Sequence, residues 1–270
     1  QYGVDLDPNS EVMSVIGSKG GMSGLPLALI DPGDVVLVPD PCYPAYLPGI
    51  VTAGGEVHFV PLLESNGFAP DLDAIPEEIC KRAKLMLLNF PSNPTASICS
   101  VDFFAKAVEF AKAHNIVIAH DAPYAEMVFD GNRQPSFLEA PGAKEVGIEF
   151  HSMSKTFNMS GWRCAFAVGN AQVIGALGKL KSNLDMGIFE PIQHAAIAAL
   201  TGSMDFTREI CGVYQRRRDI LIEGLERLGW QPRKPPATFF VWTPVPEKGT
   251  SSAEFATKVL LEAGVLITPG

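Results

Sequence analysis

Four short apolar runs, each cut off by a polar residue, set the tightest limit on what this chain can fold into. They are VVLVP at 35–39, KLMLL at 84–88, IVIA at 116–119 and VGIEF at 146–150. Each has the length of a strand, and near-continuous hydrophobicity marks strands buried on both faces. Between them lie stretches with helical spacing, most plainly Val101 to His114, where Phe103, Phe104, Ala107, Val108 and Phe110 recur at helical intervals. Strands alternating with helices imply an α/β fold, a mostly parallel sheet sandwiched by helices.

The remaining elements fit this frame. Gly17-Ser18-Lys19-Gly20-Gly21 leads into a short apolar helix ending near Ile30, and Asp31-Pro32-Gly33-Asp34 is a turn signal. A helix through 44–53, a strand from Glu56 to Val60 and a short acidic helix over 71–79 come next. A second apolar run, Cys164 to Val168, reads as a strand, with helices after it at 171–182, 190–201 and 206–228. The last helix carries Arg216-Arg217-Arg218, which reads as a solvated face in so acidic a chain. Past Gly229 the composition changes: TFFVWTPVP is strand-like and 252–262 helical. The expected division is a large domain over 1–205, a connecting helix over 206–228, and the start of a small C-terminal α/β domain over 229–270. The chain opens at Gln1 and stops at ITPG after a strand-like run, so it reads as a piece of a longer protein.

Charge and cysteines narrow the function. A net charge of −9 and a pI near 5.1 argue against nucleic acid or an anionic membrane as partner. Five well-separated cysteines without a CxxC pair suit reduced thiols in a cytoplasm rather than a disulfide framework or a zinc site. The five histidines show no HExxH spacing, so no metal is expected, and no apolar run reaches membrane-spanning length.

In open parallel sheets, ligands bind outside the carboxyl ends of the strands. There KLMLL delivers Asn89 and, four residues on, Asn93; IVIA delivers His120-Asp121; VGIEF delivers Ser152, Ser154 and Lys155. Lys155, with no acid in its local run, suits holding an anion or losing its proton to attack a carbonyl. Arg163, always protonated, suits a phosphate. The loop Gly17 to Gly21 opens a helix, where free N–H groups and the dipole favour an anion. It is neither a Walker A loop nor a GxGxxG fingerprint. A phosphate cradle, Tyr43 in a Pro-bracketed turn, Asn93, Asp121, Tyr124, Lys155 and Arg163 together match pyridoxal 5′-phosphate (PLP).

DPCYPAY, NFPSNPT, HDAPY and HSMSKTFNMSGWR stand in this order, and in them the whole chain resembles the fold-type I, class I/II aminotransferases. By that resemblance Lys155 forms the Schiff base and shuttles a proton, and Asp121 pairs with the pyridine nitrogen. Tyr124 and Asn93 bond the ring oxygen, and Tyr43 stacks on the ring. Ser152, Arg163, Gly17, Ser18 and Lys19 hold the phosphate. Catalysis would rest on Lys155, Asp121 and Tyr124. Within the family the chain looks most similar to bacterial LL-diaminopimelate aminotransferases. The resemblance implies a homodimer acting on small-molecule amino acid and 2-oxo acid substrates such as 2-oxoglutarate. A carbon–sulfur β-lyase and a non-catalytic PLP-binding regulator share the fold and stay as alternatives. The family's carboxylate-binding arginine is expected beyond Gly270, so this piece is expected to bind cofactor but transaminate poorly. Gly20, Cys42 and Ala96 depart from the family's usual Glu, Gly and Gly.

Overall fold

Strands β1 (Val12–Val15), β2 (Val35–Asp40), β3 (Glu56–Pro61), β4 (Ala83–Asn89), β5 (Val117–Asp121), β6 (Gly147–Ser152) and β7 (Ala165–Gly169) form one sheet in the computed structural model, which describes residues 2–270. Their order is β1-β7-β6-β5-β4-β2-β3. The helices are α1 (Gly17–Leu29), α2 (Tyr46–Thr52), α3 (Glu77–Arg82), α4 (Val101–His114), α5 (Ala143–Val146), α6 (Met153–Thr156), α7 (Ala171–Leu184), α8 (Glu190–Thr201), α9 (Asp205–Arg227) and α10 (Ser252–Ala263).

Helices cover both faces, as the unbroken apolar runs require. On one face Val36, Val38, Leu85, Leu87, Ala119 and Phe150 pack with Met22 and Leu25 of α1, Ile50 of α2 and Leu177 of α7. On the other, Val35, Leu37, Met86, Leu88 and Ile118 pack with Phe104, Ala107, Val108 and Ala111 of α4. Successive strand residues thus serve opposite cores. Pairing is parallel from β3 through β2, β4 and β5 to β6. It turns antiparallel at β7 and β1. The link from β6 to β7 holds only the one-turn α6 and a short 3₁₀ turn, too little for the crossover a parallel neighbour needs.

Three expectations change. The acidic helix of 71–79 forms instead at Glu77–Arg82, because Pro76 caps it and would break a helix running through it. TFFVWTPVP forms no ladder among the described residues. A single bridge, Val128 to Ala237, pairs beside it, and Pro244 and Pro246 bring no N–H to share. The basic run is not wholly solvated. Arg216 and Arg217 are exposed, but Arg218 is buried, forked onto Asp130 at 2.7 and 3.0 Å and bonded to the Pro235 carbonyl at 2.8 Å.

Beneath the β4–β6 ends lies a buried carboxylate. Glu149 accepts from His120 Nδ1–H (2.8 Å), the Ser136 hydroxyl (2.8 Å), the Phe137 N–H (2.6 Å) and His151 Nε2–H (2.5 Å). The Phe90 N–H donates to His120 Nε2 at 3.2 Å, which leaves the ring proton on Nδ1. Burial alone would raise the Glu149 pKa, but His151 and His120 hold it well below the usual carboxylate range. Burial alone would lower that of His151, and Glu149 raises it on balance. A depressed acid stabilises above its unfolded pKa of ~4.3 and a raised histidine below ~6.5, so the network contributes most between them.

Replacing Glu149 by Gln is therefore expected to cost about 3–5 kcal/mol in urea unfolding, since it breaks a buried ion pair. The gap from wild type should be widest near pH 5–6 and shrink on either side. A flat difference from pH 4 to 8 would contradict the ion-pair account.

Candidate active site

The carboxyl ends of β4, β5 and β6 open on one side of the sheet, and the residues at and just beyond these ends build a cleft. β5 ends in Asp121, 4% exposed, whose Oδ2 accepts from the Tyr46 hydroxyl at 2.9 Å. Asp121 Oδ1 has no hydrogen-bond partner although it is buried. Burial raises the Asp121 pKa to about 6; the Tyr46 hydrogen bond, then His120, His151 and Ser18, limit the rise. β4 ends in Asn89, whose Nδ2 donates to the Asp121 carbonyl at 2.8 Å and whose Oδ1 accepts from the Asn93 N–H at 2.7 Å. One amide side chain thus ties the loop carrying Asn93 to the strand carrying Asp121.

β6 passes straight into α6, capped by the Ser152 hydroxyl, which accepts from the Ser154 N–H at 3.2 Å. This puts Lys155 at the strand end, its Nζ 5.4 Å from the centre of the Phe239 ring. Burial first, and Arg163 second, lower the Lys155 pKa and so favour the neutral amine. Arg163 is anchored by Nη1 to the Ser160 carbonyl at 2.8 Å. Gly17 lies beneath its guanidinium: a methyl group at position 17 would sit 2.0 Å from Arg163 Nη2.

Ser18, Lys19, Tyr43, Asn93, Asp121, Tyr124, Ser152, Lys155 and Arg163 line a single cleft of about 290 Å³. Gly17 lies behind the wall rather than on it, and His120, delivered by the same strand end as Asp121, points away from the cleft to Glu149 and Phe90. The wall also includes Tyr46, Asn89, Ser154, Ser160, Phe239 and Phe240. Tyr124 is enclosed edge-on by Phe239 and Phe240 at 5.4 and 5.6 Å, and Tyr43 stands edge-on to Tyr46 at 5.6 Å. Burial, and then the charge of Asp121, push the Tyr124 hydroxyl pKa up. Asn89 and Ser154 stand at strand ends the sequence marks; Tyr46, Ser160, Phe239 and Phe240 carry no local signal that brings them here.

The family model for aminotransferase class I and II matches residues 1–270. The chain belongs to that family. An LL-diaminopimelate aminotransferase of Moorella thermoacetica is 55% identical over 269 residues, covering 100% of this chain and 69% of the relative. A substrate-bound BacF structure from Bacillus subtilis superposes with a TM-score of 0.96 at 44% identity, covering 99% of this chain and 68% of the other. A probable N-succinyldiaminopimelate aminotransferase from Thermus thermophilus gives a TM-score of 0.94 at 34% identity, covering 100% and 72%. This aminotransferase has the fold-type I architecture, and its family's cofactor is pyridoxal 5′-phosphate.

The residues present fit that group. The unpartnered Asp121 Oδ1 is an acceptor that a protonated ring nitrogen would satisfy. On the same cleft, α1 starts with no capping side chain and no acid in its first turn, beside Arg163. Its free N–H groups and the guanidinium suit a phosphate.

Gly17→Ala tests the cradle. At φ +74° an Ala is strained by about 1 kcal/mol, and its methyl group displaces Arg163. PLP affinity, measured by absorbance titration, is expected to fall at least ten-fold while thermal unfolding shifts by only a few degrees. Unchanged affinity would show that Arg163 does not hold the phosphate.

Proposed function

We propose that this aminotransferase moves the amino group of LL-diaminopimelate to a 2-oxo acid such as 2-oxoglutarate, with Lys155 as the base that carries the proton. The donor rests on the 55% identity to relatives of that name. The chemistry rests on one observation: Lys155, its pKa lowered, shares a cleft with a buried carboxylate whose Oδ1 lacks a partner. When bound, the cofactor supplies an aldehyde for the lysine amine and a ring that accepts the electrons of a breaking Cα–H bond.

The protein's part is to hold, orient and move protons. Asp121 Oδ1 keeps a proton on the ring nitrogen, and Tyr124 and Asn93 hold the ring oxygen. Tyr43 covers the ring face. Ser18, Lys19, Ser152 and Arg163 grip the phosphate, with Gly17 leaving room for the guanidinium. Lys155 Nζ would be the base that takes the proton from the substrate Cα and later gives it back, so that no proton is lost to solvent. Phe239 and Phe240 help keep water from Lys155.

The working unit is a homodimer. Apolar side chains at Leu184, Met186, Phe189, Ile197 and Leu200 stand exposed along one stretch, a face that a second copy of this chain would cover. The free cysteines suit a reducing cytoplasm. The division into a domain over 1–205, a connecting helix over 206–228 and a smaller domain from 229 is part of the same reading.

Purified protein with added PLP should show a band near the visible edge that borohydride abolishes, absent in Lys155→Ala. With LL-diaminopimelate and 2-oxoglutarate, glutamate should form when the full-length chain is used, slowed about 10²–10⁴-fold or more in Lys155→Ala. A band that persists in Lys155→Ala would refute the role of this lysine. Glutamate formed from other amino acids but not from LL-diaminopimelate would refute the donor.

A further inference from the structure

One buried side chain of the cleft wall, Tyr46, makes a hydrogen bond that the assignments above do not use. Tyr46 is 1% exposed, and its hydroxyl donates to Asp121 Oδ2 at 2.9 Å. It lies on the first turn of α2, three residues after Tyr43, whose ring meets its own edge-on. The carboxylate it holds is therefore divided: Oδ2 is taken and Oδ1 is open. The Asp121 backbone is fixed separately, by Asn89.

We infer that Tyr46 is a positioning residue of the transamination site: its hydroxyl fixes the Asp121 carboxylate by Oδ2 so that Oδ1 meets the ring nitrogen. The inference rests on the cofactor reading above and adds to it a specific division of labour between the two carboxylate oxygens. Without the hydroxyl, a buried carboxylate would turn about its last torsion and favour its protonated form, which cannot hold a proton on the ring. The segment Tyr43-Pro44-Ala45-Tyr46 then serves both sides of the cofactor's recognition, Tyr43 at its face and Tyr46 through its acid.

The groups acting on Asp121 decide how a pH profile is read. Tyr46 from α2, Tyr124 from the turn after β5 and Ser18 from α1 share its side of the sheet, and the charges of His151 on β6 and His120 on its own strand act from the other. Lys155 and Arg163 face the same cleft, and Cys42 acts on Tyr46. Of these, the Tyr46 bond is the largest influence favouring the ionised acid. PLP affinity should therefore fall as pH drops through about 6, where Asp121 protonates. Losing the hydroxyl raises the acid's pKa, so that limb should move to higher pH.

The test is a double-mutant cycle on PLP affinity, measured across pH, using apoprotein made from the purified holoenzyme. Tyr46→Phe is expected to weaken binding about ten-fold at neutral pH and to move the acid limb upward. In an Asp121→Asn background the same change should cost less than two-fold, because the hydroxyl acts through the carboxylate. Replacing Tyr46 by 3-fluorotyrosine keeps the ring and packing but makes a stronger donor, and should move the limb to lower pH. Equal costs in both backgrounds, or a limb that neither variant moves, would make Tyr46 an ordinary core tyrosine and overturn the inference. A wild-type protein that fails to bind PLP would overturn the cofactor reading and this inference together, whereas binding with an unaltered Tyr46→Phe overturns the inference alone.

Discussion

A carboxylate buried at the tip of β5 is the constraint to which the rest of the cleft answers. Taking an ionised acid out of water costs several kcal/mol unless its oxygens are met. Tyr46 meets one oxygen of Asp121, and the other is left to a ligand. The backbone of the same residue is pinned by Asn89, whose amide also holds the N–H of Asn93. The neighbouring ends of β4 and β5 therefore place the acid and the loop of Asn93, and α2 brings the hydroxyl to them. Lys155 comes to the same edge because β6 lies beside β5 in parallel register, Asp121 opposite Phe150.

Strand alternation makes two devices from two consecutive residues. Asp121 faces the α1 and α2 side and is incompletely satisfied. His120 faces the α4 side and is bonded at both ring nitrogens, to Glu149 and to the Phe90 N–H. The second device supports the first: Phe90 begins the loop from β4 to Asn93, so His120 fixes from behind the segment that Asn89 fixes from the front. Glu149, with four donors, is a saturated buried charge, and saturation is what lets it be structural rather than reactive. Asp121, with Oδ1 unmet, is left open to a ligand for the opposite reason.

These differences explain what was legible in the sequence. Asn93, Asp121 and Lys155 could be named because an apolar run that stops abruptly marks a strand end, and parallel strands bring such ends to one edge. Their roles came from the ordered motifs. Tyr46 was not legible: in DPCYPAY it stands only three residues from Tyr43, and its bond spans to Asp121 across the tertiary fold. Phe239 and Phe240 come from beyond α9, and no local pattern says that a distant segment folds back over Lys155. The directions of β1 and β7 were hidden because hydrophobic periodicity is blind to strand polarity. Only the brevity of the β6–β7 link carried that information. Arg218 escaped for the converse reason, since a run of three arginines reads as surface until Asp130 and the Pro235 carbonyl are brought to one of them.

Backbone strain collects around the same edge. Ala96, Asn158, Arg163 and Thr238 all adopt left-handed conformations, with φ of 56°, 53°, 53° and 61°, at a cost of about 1–2 kcal/mol for each but Asn158, which tolerates this region. Each adjoins a residue of the cleft: the loop of Asn93, the turn of Lys155 and the Phe239-Phe240 pair. Such conformations persist only where neighbours over-determine them, and here they do. The Ala96 N–H bonds the Ser92 carbonyl and the Ser92 N–H the Ser97 carbonyl, both at 2.9 Å, while Arg163 is tied through Ser160 and lies beside Gly17. Ala96 bears a strain that Gly would relieve, and bears it fully buried. Stability from the β-sheet cores thus holds short loops in shapes that a relaxed backbone would leave. A ligand that binds across those loops meets groups already in place, so less of its binding energy goes into ordering them.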